Sequence, residues 1–189
     1  MKITLGISGA SGTVLAKMAI DHLSENHELF VIASDCGAQI FEQECGIRLY
    51  DYLRRKQKVT RFNNDNLFAP LSSGTNTADC MLILPCSAST VGRIASGCGE
   101  TLLIRAADVM LKERKKLVIG LRESPLSAIT LKNLETLSLC GAIVSPLVPP
   151  FYKSPQSLED LYRVTLGRFL LTAGIENNLI SRWNGKSAK

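Results

Sequence analysis

Six- or seven-residue apolar runs alternate with longer helical stretches along nearly the whole chain, and this alternation restricts the fold more than any other feature. The runs are KITLGI (2–7), ELFVIAS (28–34), CMLILP (80–85), KLVIGLR (116–122) and AIVSPL (142–147). Each is nearly continuous in apolar residues, as strands covered on both faces are. Between them helical patterns run over about 12–24, 36–45, 87–96, 100–114 and 127–139, with a last one over 157–173. Such alternation predicts a doubly wound, mainly parallel sheet with helices on both faces, a three-layer α/β fold. The segment 49–66 is polar and charged and has no clear register. The proline-rich stretches PLVPPFYKSP (146–155) and ESPLS (123–127) read as structured loops.

A chain of 189 residues with 46% hydrophobic and 21% charged content suits one soluble domain over 1–189. The tail after about 183 reads as mobile. No apolar run approaches the roughly 20 residues of a membrane span, and the N-terminus lacks the apolar stretch of a secretory signal, so a cytoplasmic location is expected. Six scattered cysteines (36, 45, 80, 86, 98 and 140) contain no C-x-x-C pair, and the histidines are His22 and His27. These features point away from a zinc site or a disulfide scaffold, and most of the cysteines read as small apolar core residues. The formal charge is +5. A dense basic run, LKERKK (111–116), is interrupted by Glu113 and has no aromatic beside it, so it reads as a solvated helix end and not as a nucleic-acid surface.

In open α/β sheets ligands sit outside the carboxyl ends of the strands. The residues just past the strands are SGASG, SDCG, CSAST, RESP and PPFY, a hydroxyl-rich set with one arginine and one tyrosine. GISGASG (6–12) is neither a dinucleotide fingerprint nor a P-loop. It serves either as a tight turn or as an anion loop, with Gly9 allowing close approach and Ser11 placed to cap the helix near Gly12. PCSAST (85–90) repeats the device, with Ser87 and Thr90 at capping distance. Two such helix starts on one edge favour a phosphate-bearing ligand; ordinary capping is the alternative. Arg122 directly follows a strand, where a guanidinium fork suits phosphate or carboxylate. Arg105, Asp108 and Lys112 have the spacing of a surface ion-pair ladder. Tyr152 lies on a proline-fixed loop, and Arg168 follows on the last helix, as a second anion site or an interface residue.

GISGASG, PCSAST, RAADVMLKER, RESPLS, GAIVSPLVPPFYKSPQSLEDL and the terminal RW together resemble the UbiX-type flavin prenyltransferases, from Ile3 to Trp183. The resemblance implies a flavodoxin-like fold, FMN binding and assembly into homo-oligomers, typically dodecamers. It also implies transfer of a dimethylallyl group from dimethylallyl monophosphate to reduced FMN without a metal. The product, prenylated FMN, serves a UbiD-type decarboxylase. By resemblance Gly9, Ala10 and Ser11 form the first flavin loop, Ser34 a second contact, Ser87, Ala88, Ser89 and Thr90 the flavin-phosphate loop, and Arg122 the flavin-binding arginine. Tyr152 and Arg168 hold the prenyl phosphate, with Arg105, Lys112 and Glu123 in support, and Glu44 is the active-site acid. Chemically, Lys112, Arg122, Arg168 and Tyr152 suit the charge that develops on departing phosphate, Glu44 or Glu123 a proton shuttle, and Ser11 a relay.

The chain departs from the family pattern in three places. Asp35 stands where lysine is usual, GTVLA lacks an aromatic, and Thr75 and Asn76 replace serine and an aromatic. Two alternatives stand beside this reading, a flavin-dependent decarboxylase of related fold and a non-catalytic flavin carrier. The first uses a histidine base and a P-x-M-N-type motif, where this chain has PCSA.

Overall fold

Parallel pairing carries the architecture. A computed structural model describes residues 1–182 and 185; Trp183, the end of the resemblance, lies outside them. Six strands, β1 (Lys2–Ile7), β2 (Glu28–Ala33), β3 (Val59–Phe62), β4 (Cys80–Cys86), β5 (Lys116–Leu121) and β6 (Ile143–Val144), form one sheet in the order β3-β2-β1-β4-β5-β6. All five pairings are parallel. The helices are α1 (Thr13–Asn26), α2 (Asp35–Cys45), α3 (Leu49–Leu53), α4 (Ala88–Ala95), α5 (Leu102–Lys112), α6 (Ala128–Leu139) and α7 (Leu158–Thr172). The order is that of a doubly wound sheet, and without the short edge strand β3 it reduces to the flavodoxin order. The chain leaves β1 toward one edge and returns to β4 beside it, so the switch point lies between the carboxyl ends of β1 and β4.

Strand alternation divides the apolar side chains between two cores. Ile3, Leu5, Leu82 and Leu84 pack with Leu15 and Ile20 of α1 and Leu166 and Phe169 of α7. Met81, Ile83, Ile119 and Leu121 pack with α4, α5 and α6 through Val91, Leu103, Met110 and Leu134. Both faces of the sheet are therefore covered, which accounts for the nearly continuous apolar runs.

Three sequence expectations change. The segment 49–66 holds α3 and the edge strand β3, whose middle residues Thr60 and Arg61 are exposed, so no continuous apolar run betrays it. The run 142–147 keeps only Ile143–Val144 as regular strand, although Ser145 N and Leu147 N still donate to Ile119 and Leu121 carbonyls at 2.9 and 3.0 Å. Pro146 between them has no N–H to continue the ladder. Of the cysteines only Cys80 and Cys86 are buried, while Cys36, Cys98 and Cys140 are exposed. Burial pushes the Cys80 thiol up to about 11 and the Cys86 thiol higher still, as inert core thiols.

Candidate functional site

The loops that leave β1, β4 and β5 lie side by side because their strands do. Ser8, first residue past β1 and 1% exposed, clamps two of them. Its Oγ donates to the Pro85 carbonyl at 3.0 Å and accepts the Ser87 N–H at 2.9 Å. Its own N–H donates to Pro85 at 3.2 Å. The sequence reading missed Ser8; its signal was a hydroxyl immediately after an apolar strand. Beyond it, Gly9 faces α2, where an added Cβ would stand 3.0 Å from the Cys36 Cβ. Ala10 is buried and Ser11 half-buried.

Ser11 was expected to cap α1, and the structure corrects that. The cap position is Gly12, at φ +94, in the left-handed region that suits glycine, with no side-chain cap bond. Glu44 takes the role instead. Its carboxylate accepts Gly12 N–H at 3.0 Å, Thr13 N–H at 2.7 Å and the Thr13 hydroxyl at 2.6 Å. A full negative charge at the positive end of a helix outcompetes a neutral hydroxyl, contributing on the order of 1 kcal/mol. The α1 start thereby carries its own anion, and Ser11 Oγ accepts instead from the Arg122 guanidinium.

The other helix starts on this edge differ. Ser34 caps α2 by accepting Gly37 N–H at 3.0 Å, and Asp35 puts an acid into that first turn. Ser87 caps α4 by accepting Thr90 N–H at 3.2 Å, and the two hydroxyls meet at 3.0 Å. The first turn of α4 holds no acid. Capping thus explains the two hydroxyls, yet a helix leaves its first N–H groups without internal acceptors, here those of Ala88 and Ser89. An anion placed there meets the positive end of α4 and no competing carboxylate in that turn.

Arg122 brings a cation to the same place. Its N–H donates to the Cys86 carbonyl at 2.9 Å, beside the Ser87 cap. Because β4 lies between β1 and β5, a side chain from the end of β5 that bonds Ser11 passes over the end of β4. The exposed Glu123 accepts Ser124 N–H at 3.2 Å. The loops thus bring together Gly9, Ala10, Ser11, Glu44, Ser87, Ala88, Ser89, Thr90 and Arg122, with Ser34 on the neighbouring β2 loop.

The remaining candidates lie apart within one chain. Arg105 sits in the first turns of α5, where Nε donates to the Ser72 carbonyl at 3.3 Å and a second nitrogen meets Asp108 at 3.3 Å. Lys112 ends α5, 3.5 Å from Glu113, just ahead of β5 and so near the amino edge of the sheet. Arg168 donates to Thr172 Oγ1 at 2.9 Å on its own helix. The end of α7 is fixed near the start of β5, where Lys116 Nζ donates to the Ala173 carbonyl at 2.8 Å. Tyr152 lies in a short turn after β6, exposed, with Lys153 Nζ 5.3 Å from its ring centre. Among the described residues no group of three His, Cys, Asp or Glu side chains converges as a metal site.

A family model described as Flavoprotein matches residues 1–162. Flavin prenyltransferase UbiX of Methanocaldococcus jannaschii is 40% identical over 184 residues, covering 97% of this chain and 98% of its own. The crystal structure of AnUbiX (PadA1) in complex with FMN and dimethylallyl pyrophosphate superposes with TM-score 0.90 at 34% identity, covering 98% of each chain. A dodecameric FMN-dependent UbiX-like decarboxylase from Escherichia coli O157:H7 superposes with TM-score 0.92 at 34% identity, covering 98% of this chain and 100% of the other.

Proposed function

The chain belongs to the flavoprotein family and, within it, to the UbiX-type flavin prenyltransferases, and from that membership we propose that it transfers a dimethylallyl group from dimethylallyl monophosphate to reduced FMN. The products are prenylated FMN and phosphate. The observation that carries this reading is the neutral α4 start with the Arg122 guanidinium spanning over it to Ser11. Those residues suit a flavin phosphate, which needs helix N–H donors, a cation and no facing acid.

Reduced FMN supplies the nucleophile that takes the dimethylallyl group. Ser87, Ala88, Ser89 and Thr90 hold the flavin phosphate with Arg122, and Gly9, Ala10, Ser11 and Ser34 line the flavin beside it. Glu44 is poised for proton transfer between two environments, the α1 start that holds it now and the ligand. Glu123 and Ser11 stand in support as a second acid and a relay. Tyr152, Arg168, Arg105 and Lys112 hold the prenyl phosphate and stabilise charge as its C–O bond breaks, without a metal.

Within one chain these four lie on three separate elements, which supports a homo-oligomer in which neighbours complete the prenyl-phosphate site; a dodecamer is the proposed state. A UbiD-type decarboxylase is the proposed acceptor of the product, in the cytoplasm. Among the described residues no helix is long and apolar enough to cross a membrane.

The test is incubation of the purified protein with reduced FMN and dimethylallyl monophosphate, without metal, followed by mass spectrometry of the released flavin. The expected flavin is heavier by one dimethylallyl unit in place of a proton. Unchanged flavin together with carbon dioxide release by this chain alone from a cysteine carboxylate or an aromatic acid would establish a decarboxylase. Tight FMN binding with neither product would establish a carrier.

A further inference from the structure

The positive charge of the chain is concentrated at one edge of the sheet. Residues 48–61 carry Arg48, Arg54, Arg55, Lys56, Lys58 and Arg61 against one carboxylate, Asp51. That surplus equals the formal charge of the whole chain, +5. The stretch comprises α3, the turn after it and the edge strand β3. Within it Arg48 pairs with Glu42, Lys56 with Asp21, and Lys58 donates to the Glu25 carbonyl, as Lys112 pairs with Glu113 and Lys116 with the end of α7 in the other dense basic run.

The edge elbow is turned outward. Apart from Lys56, its cations are exposed. Among the described residues no carboxylate lies within ion-pair distance of Arg54 or Arg55. Arg61 stacks on Tyr50, its guanidinium 3.2 Å from the ring centre. Between α2 and α3 a groove of about 390 Å³ is lined by Glu42, Arg48, Tyr50, Asp51 and Arg54. Like charges gathered on so small an elbow repel one another, and a partner of opposite charge relieves that cost.

We infer that this elbow docks an acidic protein surface, and that the docked protein is the one that takes up the prenylated flavin. The second half rests on the proposed function. Two features favour a protein over a nucleic acid. Arg61 covers one face of Tyr50, so that face is closed to base stacking. The groove accepts a protruding side chain.

The patch also adjoins the site. Arg48 lies four residues beyond Glu44, whose carboxylate holds the α1 start. A reduced flavin released into aerated water is exposed to dioxygen, and a recipient docked beside the site limits that exposure. Opposite charge there speeds encounter more than it adds affinity.

The variant Arg54→Glu/Arg55→Glu tests the inference in the full-length protein, because neither residue belongs to the proposed chemistry. Formation of prenylated FMN without acceptor stays within about twofold of the native rate. Activation of a UbiD-type apodecarboxylase falls about tenfold at low ionic strength, and the difference closes near 0.5 M salt. Equal activation by both proteins overturns the delivery role. Poly-L-glutamate binding needs no turnover and tests docking alone. The native protein binds it about tenfold more tightly than the variant, and equal binding overturns the surface. Tighter native binding to an RNA oligonucleotide or a phosphatidylserine vesicle than to poly-L-glutamate at physiological salt also overturns it. So does a changed particle size of the variant in light scattering, which would make the elbow a subunit contact. Absence of prenylated FMN from both proteins refutes the proposed function and leaves the poly-L-glutamate result to decide the docking.

Discussion

Removing one hydroxyl, in Ser8→Ala, tests how the site is held together. Ser8 is 1% exposed, and its Oγ makes two bonds between the loops of β1 and β4, to the Pro85 carbonyl and from the Ser87 N–H. Alanine fits the space but makes neither bond. The Ser87 N–H loses its acceptor in a partly buried place, and the Pro85 carbonyl keeps only the longer bond from Ser8 N–H, at 3.2 Å. An unsatisfied group of this kind costs about 1–3 kcal/mol. For a chain of this size each kcal/mol lowers the melting temperature by roughly 2–4 °C, so a fall of about 2–12 °C is expected. Urea unfolding should show a lower midpoint at unchanged slope, since the surface exposed on unfolding is the same. Ser87 begins α4, so the proposed phosphate loop loosens too. FMN affinity, read from the quenching of its fluorescence, should fall about threefold to tenfold, and riboflavin affinity less, for a loss on the order of 1 kcal/mol at the phosphate. A melting temperature within about 1 °C of native, with unchanged FMN binding, refutes the clamp.

Arg122→Ala should weaken FMN about tenfold to a hundredfold by titration, with riboflavin nearly unaffected, because a charge-assisted bond contributes about 1.5–3 kcal/mol. Glu44→Gln keeps an amide oxygen for the α1 start, so the melting temperature should move by only a few degrees while turnover falls on the order of a hundredfold. Arg168→Ala should reduce use of dimethylallyl monophosphate about tenfold to a hundredfold with FMN affinity near native. A broken oligomer on gel filtration, with FMN binding and turnover falling together, would instead give Arg168 to the subunit interface. Tyr152→Phe should show a smaller loss of the same kind as Arg168→Ala, measured in the same turnover assay.

The sequence by itself determined the layered α/β plan and the edge that carries the candidate site. Continuous apolar runs such as 80–85 have one economical burial, between two helical layers, and a strand's carboxyl end follows from its direction. The hydroxyl of Ser87 was legible for a local reason, because a cap and the N–H it accepts from lie three residues apart. β3 was not legible, since an edge strand with exposed Thr60 and Arg61 lacks the pattern of a buried one. Only the tertiary structure decided which group occupies which donor. Glu44 reaches the α1 start across 32 residues, Ser8 binds the β4 loop across 79, and Arg122 meets Ser11 across 111. Such pairs depend on strand order, and no local periodicity encodes that order. The same holds for Lys112 and Arg168: both residue types suit an anion, but α5 leads into the start of β5 and α7 ends beside it, which carries them toward the amino edge, away from Ser87 and Arg122.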